Sequence, residues 1–474
     1  MQLDPTRRRQ GYYCSSIILR IIPCRGVCAF FDLSLTGMPS ATLDAIVIGA
    51  GPSGLGASIA LAGWRARYVN RCAVESLELQ NRLQRNGQLS LANTPVLAEG
   101  LKGRSNNPLA LLFDALQHPG VDRGWSSPSC LDLLRDPDAE LSHVVIDEAP
   151  FGGSWHYMHE ATRTLSPGPW MELPGYPLAD YLTARGKAAA AAAARQPRRL
   201  IAEYYEAAAC VSWPRSLTPW ACRLATHHPC RPDRHPRDRS AHFGVTKFHR
   251  RARVTAVQWT PHDSSSGHLW TVELSDGSLL KARSLVLATG TYGTPRLLGI
   301  EGEALSSWVA HRCTALPEDA RTVLVVGAGL SAADCIVYLL TRGKKVVHAF
   351  RGAPETTKLG SKFSGPGASG FYPEYHAICT AMASAAGQQT SLFGGTYSPM
   401  PSTELLAVHS DGRCELSAGD GVERKAVTSA SASVTVDAVA VLIGSEPDLS
   451  FLPAAVLDTL DAAGPPSQVA CAHA

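Results

Sequence analysis

Two short glycine-rich segments have the residue types and spacing to hold a pyrophosphate. The first is Gly49-Ala50-Gly51-Pro52-Ser53-Gly54. In this spacing the first glycine permits a tight turn, the second lets the backbone approach a phosphate, and the third lets helix and strand pack closely. A helix starting there turns unpaired N–H groups and the positive end of its dipole toward the phosphates. The second segment is Gly327-Ala328-Gly329-Leu330-Ser331-Ala332, with Ala332 in the place of the third glycine. The helix-packing role of that position tolerates the extra methyl.

A dinucleotide site also needs a group at the end of the second strand to read the ribose. About twenty residues after the first turn, Asn70 to Cys72 offers no acid, although Glu75 and Glu78 follow. Further on, His143-Val144-Val145-Ile146 is an apolar run ending in Asp147 and Glu148. It is expected to be the true second strand, displaced by an insertion over residues 70–142, with Asp147 and Glu148 either on the ribose or serving as solvated strand-end charges. Gly152-Gly153-Ser154-Trp155 follows, two glycines for close backbone approach and a flat apolar lid suited to a large heteroaromatic ring, or else a core tryptophan beside a turn. After the second turn the next strand ends His348-Ala349-Phe350-Arg351, with a cation where an NAD site places a carboxylate. Arg351 there can bond a 2′-phosphate bidentately, which points to NADPH, or else it is a solvated strand-end charge.

These residues require strand, turn and helix in order, twice. Ala45-Ile46-Val47-Ile48 and Thr322-Val323-Leu324-Val325-Val326 supply the strands, and apolar helical stretches to about Ala62 and Leu340 follow the turns. Leu285-Val286-Leu287 runs into Ala288-Thr289-Gly290, a small-residue turn of the kind at which a chain crosses between nucleotide domains. The expected fold is therefore α/β with two Rossmann-like dinucleotide-binding domains, the first discontinuous and the second, for NADPH, inserted in it. The boundaries read as a disordered or targeting-like extension over 1–43, a first part of the discontinuous domain over 44–165, a helical or linker region over 166–243, a second part of that domain over 244–317, the NADPH domain over 318–440 and a truncated return segment over 441–474.

The bulk properties narrow the class. Over 474 residues, 44 Lys and Arg against 41 Asp and Glu give a net charge of +3, too small a field for a dedicated nucleic-acid binder. With 45% hydrophobic and 18% charged residues the chain is globular rather than disordered. No run reaches the ~18 apolar residues of a membrane span, since Ser16-Ile17-Ile18-Leu19 is broken at Arg20 and Pro23. Thirteen scattered cysteines are not a disulfide framework and favour a reducing compartment, with the cytoplasm as the default. The alanine run 188–194 reads as a solvated helix or linker, and 214–239 as a low-complexity insertion whose cysteines and histidines fit no zinc spacing, so no metal is expected.

Taken together, Gly49-x-Gly51-Pro52-Ser53-Gly54, Gly152-Gly153-Ser154-Trp155, Ala288-Thr289-Gly290 and Gly327-x-Gly329-x-Ser331-Ala332 resemble flavin-dependent N-hydroxylating and Baeyer-Villiger type monooxygenases. More closely, Glu99 to Ser105 running on to Leu112-Phe113-Asp114-Ala115-Leu116, Leu165 to Pro174, Tyr372-Pro373-Glu374-Tyr375-His376, and Val441 to Ser445 with Asp448 to Leu452 resemble the oxidative-stress-induced growth inhibitor family. The resemblance covers about Asp44 to Leu452. It implies an FAD-containing, NADPH-dependent monooxygenase-like protein in the control of cell growth, cell death and cytokinesis under oxidative stress, and the midbody as a place of action. It implies that the discontinuous domain holds FAD and that the reduced flavin traps O2 as a C4a-hydroperoxide. Trp155, Ser166, Trp170 and Glu172 are candidates for lining the flavin pocket, or else pack the core.

The chain departs from the monooxygenase pattern in two places. Their Phe-x-Gly-x-x-x-His motif is not matched, because Leu305 and Ser307 precede His311. The family continues past Leu452 with a strand and a Gly-Asp turn that reach the flavin, whereas this sequence ends at Ala474, so the FAD sheet is expected to lack a strand. Two other functions compete. A disulfide reductase on the same fold would need a Cys-x-x-Cys pair, which the sequence lacks. A non-catalytic regulator could keep the fold as a binding surface.

Overall fold

The computed structural model describes residues 42–462 except 71, 73, 75, 86–93, 103–106, 121–126, 211–242, 262–267, 305–307 and 419–431. The extension before residue 42, the insertion at 214–239, and Leu305 and Ser307 therefore lie outside the described residues. The chain forms two units. One takes the chain up to Tyr157, Arg163–Gly290 and the segment from Leu449 on, and the other takes Met158–Thr162 and Thr291–Asp448.

The first unit is built on a six-stranded sheet ordered His249–Arg250, His143–Ile146, Leu43–Ile48, Leu279–Leu287, His268–Leu274 and Val254–Pro261. The first four strands run parallel and the last two antiparallel. Ala45, Ile46, Val47 and Ile48 are all buried, the near-continuous apolar run of a strand covered on both faces. Its neighbour is the His143–Ile146 strand, with Ala45 opposite His143 and Ile48 opposite Ile146. Trp64–Tyr68, which follows the first helix directly, does not join this sheet and pairs antiparallel with Leu131–Arg135. The excursion thus begins at the Trp64 strand itself. Between its two ends it buries a small core of its own, including Leu79, Leu83, Leu97, Leu112 and Leu116.

The second unit repeats the plan. Its sheet is ordered Val309–Ala310, Ala438–Val441, Thr322–Val326, Lys345–Phe350, Gly395–Pro401 and Thr390–Leu392, parallel except for the last pair. The Leu330–Leu340 helix covers it with Ala332, Ala333, Cys335, Ile336, Leu339 and Leu340 buried. Thr403–Val408, Arg413–Ala418 and Ala432–Thr435 form a separate antiparallel sheet.

Both outer boundaries of the NADPH domain move. Residues 291–317, expected in the FAD part, are tied to the second unit, because Thr294–Pro295 pairs with Ser445–Glu446 and Val309–Ala310 pairs with Val439 and Ala440. The crossing occurs at the Ala288-Thr289-Gly290 turn, where Gly290 has φ +72°. At the other end the chain stays in the second unit through Asp448 rather than leaving at 440. It then rejoins the first, where the Val257 N–H donates to the Phe451 carbonyl and the Ala454–Ala462 helix follows. Met158–Thr162, inside the span assigned to the first FAD part, also belongs to the second unit. The alanine run forms a 3-10 helix over Ala189–Ala193, mostly exposed, with Ala192 buried.

Candidate nucleotide-binding sites

Each unit presents one glycine turn at the carboxyl end of its central strand. In the first, Gly49 has φ +107°, and a Cβ there would lie 2.2 Å from the Ala288 carbonyl oxygen. A Cβ on Gly54 would lie 1.8 Å from the Gly49 carbonyl oxygen. Both positions are closed by the fold. Gly51 differs, because its Cβ would meet nothing within 4 Å. That open space leaves room for a pyrophosphate. Pro52 opens the Pro52–Leu61 helix at a position where the missing N–H costs nothing, Ser53 is half-buried in its first turn, and no acid or side-chain cap occupies that end.

The turn is held from the neighbouring strand. Gly49 N–H donates to the Ile146 carbonyl at 2.8 Å, and Ala50 N–H donates to Asp147 Oδ2 at 2.6 Å. Asp147 Oδ1 accepts from Ala149 N–H at 2.8 Å, and the Ala50 carbonyl accepts from Gly152 N–H at 2.9 Å. Asp147 is thus engaged with backbone on both oxygens, a geometry that positions the turn. Glu148, one residue on, is exposed.

Gly152 and Gly153 both have positive φ, and a Cβ on Gly153 would sit 2.6 Å from Gly51 Cα. Glycine is required there because two backbone turns touch. Trp155 packs against the main core of this unit, and Arg198 Nη1 donates to the carbonyls of Trp155 at 3.3 Å and His156 at 3.0 Å. Ala288 continues the parallel ladder with its N–H on the Ile48 carbonyl, Thr289 is half-buried, and Gly290 is exposed. Glu172 accepts from Leu178 N–H at 2.9 Å, and burial pushes its carboxyl up to about 7. Trp170 lies against His118 with ring centroids 4.6 Å apart, and Ser166 is half-buried.

The second turn repeats this logic with different parts. Gly327 has φ +117°, and a Cβ there would lie 2.4 Å from the Leu442 carbonyl oxygen, whereas one on Gly329 would meet nothing within 4 Å. Ala332 is fully buried against the sheet, Ser331 is exposed, and no acid stands in the first helical turn. A buried histidine holds this turn. His348 Nε2 lies 2.7 Å from the Gly327 carbonyl oxygen, which can only accept, so Nε2 carries the proton. His348 Nδ1 then accepts from the Tyr397 hydroxyl at 2.7 Å. Burial lowers the His348 pKa to about 4, so the ring is neutral at pH 7. Nothing in the glycine spacing announces this role. The signal was a histidine inside the otherwise apolar Lys345–Phe350 strand.

Arg351 is 76% exposed, and its Nε pairs with Glu404 Oε1 at 2.9 Å. His311 Nε2 lies 3.0 Å from Glu303 Oε1, and Glu303 also accepts from the N–H groups of Leu298 and Gly299. His311 is therefore part of a local structural cluster. Among the described residues no group of three or more His, Cys, Asp or Glu could hold a metal ion, and no helix is long and apolar enough to cross a membrane.

The pyridine nucleotide-disulphide oxidoreductase family matches residues 247–364, which include the second glycine turn. The chain is 33% identical over 444 residues to human oxidative stress-induced growth inhibitor 1, covering 88% of this chain and 83% of that protein. It is 30% identical over 454 residues to human oxidative stress-induced growth inhibitor 2, covering 89% and 83%. Among solved structures, the bacillithiol disulfide reductase Bdr (YpdA) from Staphylococcus aureus is similar at 14% identity and a TM-score of 0.45, over 86% of this chain and 79% of that one.

Two parallel-sheet units, one discontinuous in the chain and the other inserted in it, each with a strand, glycine turn and helix, define the class as an α/β fold with two dinucleotide-binding-type domains. Within that class the chain belongs to the oxidative stress-induced growth inhibitor family.

Proposed function

We propose that this chain is an NADPH-dependent FAD monooxygenase acting in the oxidative-stress-linked control of cell growth, cell death and cytokinesis. The observation that carries the reading is that both turns are closed by backbone at Gly49, Gly54 and Gly327 and open at Gly51 and Gly329, where each pyrophosphate would lie. FAD, reduced by NADPH, would supply the activation of O2, so no side chain need act as nucleophile or general base. The chain's own residues bind and orient. Helix N–H groups after Gly51 and Gly329 receive the phosphates, Asp147 and His348 fix the two turns, and Glu148 takes the ribose hydroxyls of the FAD adenosine.

Arg351, oriented by Glu404, reads the 2′-phosphate. Trp155, held by Arg198, lines the flavin side with Trp170 and Ser166. Glu172 is the acid in that set whose proton is retained near neutral pH. The test is coupled NADPH oxidation and O2 uptake by FAD-loaded protein. Consumption of both supports the reading, and a flavin that is never reduced under air overturns it.

A further inference from the structure

We propose that Cys72 and Cys130 form a redox-modification site: a dithiol at the neck of the excursion that a peroxide closes to a disulfide and a dithiol reductant reopens. Their sulfurs lie 3.3 Å apart. A disulfide bond is about 2.05 Å, so closure needs a movement of only about 1.3 Å. The approach is set by the backbone. Cys72 follows the Trp64–Tyr68 strand and Cys130 immediately precedes Leu131–Arg135, its antiparallel partner, with Tyr68 opposite Leu131.

The Val69 N–H donates to the Cys130 carbonyl at 2.8 Å, and the Cys130 N–H donates to the Leu116 carbonyl at 2.7 Å. Cys130 Sγ lies 3.6 Å from the Cys72 carbonyl oxygen, and Cys72 Sγ lies 3.4 Å from that of Pro128. A bond between the two sulfurs would tie the ends of the segment that carries the Thr94–Ala98 and Pro108–Gln117 helices.

Exposure assigns the order of events. Cys130 is fully buried and Cys72 is only partly so, which lets a small peroxide meet Cys72 first. The Cys72 thiolate attacks one oxygen of hydrogen peroxide, releasing hydroxide and leaving a sulfenic acid. The Cys130 thiol displaces that oxygen as water, and the net change is two thiols and one peroxide to one disulfide and two waters. Two electrons pass from sulfur to peroxide oxygen. Burial pushes the Cys72 thiol up to about 11, so its thiolate is scarce at pH 7 and closure is slow there. Its rate should rise roughly tenfold per pH unit through the range below that value. The site stands independently of the nucleotide reading.

The experiment treats the intact chain with hydrogen peroxide, blocks remaining thiols by alkylation, and maps peptides by mass spectrometry. A Cys72–Cys130 cross-link that forms faster at pH 9 than at pH 7 and disappears with dithiothreitol is expected. Cys210 and Cys414, whose thiols hydrogen-bond to backbone carbonyls, are the internal references. In Cys130→Ser, Cys72 should be captured as a sulfenic acid by a 1,3-diketone, whereas Cys72→Ser should leave Cys130 unlabelled. If the variants fail to fold, the wild-type map decides alone. Both cysteines fully alkylated after peroxide treatment, or Cys72 joined to a different cysteine, would overturn the proposal.

Discussion

Gly49→Ala and Gly51→Ala should fail in different ways although only one residue separates them. At Gly49 a side chain meets two penalties. A φ of +107° is strained for any residue with a Cβ, at about 1–3 kcal/mol. The added carbon would also lie 2.2 Å from the Ala288 carbonyl oxygen, and backbone must shift to relieve it, at about 1–3 kcal/mol more. A combined loss of about 2–6 kcal/mol is a large fraction of a domain's stability. Gly51 has φ −64° and ψ −177°, ordinary for alanine, and its Cβ meets nothing. Loss of the better helix-cap residue and gain in chain stiffness nearly offset, leaving stability within about 1 kcal/mol. The new methyl occupies the phosphate cradle instead, so FAD affinity should fall at least about tenfold, equivalent to about 1.4 kcal/mol. Urea unfolding and FAD titration on both variants separate the cases. Gly51→Ala with wild-type FAD affinity, or with instability equal to that of Gly49→Ala, would refute the assignment of the cradle.

Further outcomes follow from the same geometry. Arg351→Ala should raise the Kd for NADPH about tenfold while leaving that for NADH unchanged, since only the former carries the 2′-phosphate; equal changes by fluorescence titration would contradict the assignment. Glu148→Gln should weaken FAD binding without moving the urea midpoint, because Glu148 is exposed, whereas Asp147→Ala should lower the midpoint and reduce the unfolding free energy by about 1–3 kcal/mol through the unpaired Ala50 and Ala149 N–H groups. His143 and His348 are held by burial at about 4 against an ordinary 6.5. The unfolded chain takes up their protons between those values and the native chain does not, so their stabilisation is complete above pH 6.5 and is lost as the pH falls toward 4. At about 1.4 kcal/mol per pH unit, each is worth about 3 kcal/mol. A urea midpoint unchanged between pH 7 and pH 5 would contradict this.

What the sequence made legible follows from local chemistry. A strand, three spaced small residues and a helix occupy adjacent positions, so both nucleotide folds could be read directly. The displaced strand was legible because His143 to Ile146 is apolar and ends in acids, and it does pair parallel to Leu43–Ile48. Roles set by distant partners were not legible. The engagement of Asp147 with Ala50 joins residues far apart in sequence, as does the contact of His348 with Tyr397 and Gly327. The crossing between units was visible as a small-residue turn at Gly290, yet the domain edge fell later because residues 291–317 carry no strong pattern. Only their pairing with Ser445–Glu446 and Val439–Ala440 assigns them. Trp64–Tyr68 follows the first helix where a second parallel strand belongs, and its antiparallel pairing with Leu131–Arg135 depends on a partner more than sixty residues away.

The central claim is that one chain binds both FAD and NADPH and passes electrons between them. The most direct measurement is the visible spectrum of the purified protein after FAD loading and removal of free flavin, followed by NADPH in the absence of air. The account predicts retained flavin bands that bleach with NADPH and return when air is admitted. A chain that retains no flavin, or a bound flavin that NADPH leaves oxidised, would contradict it.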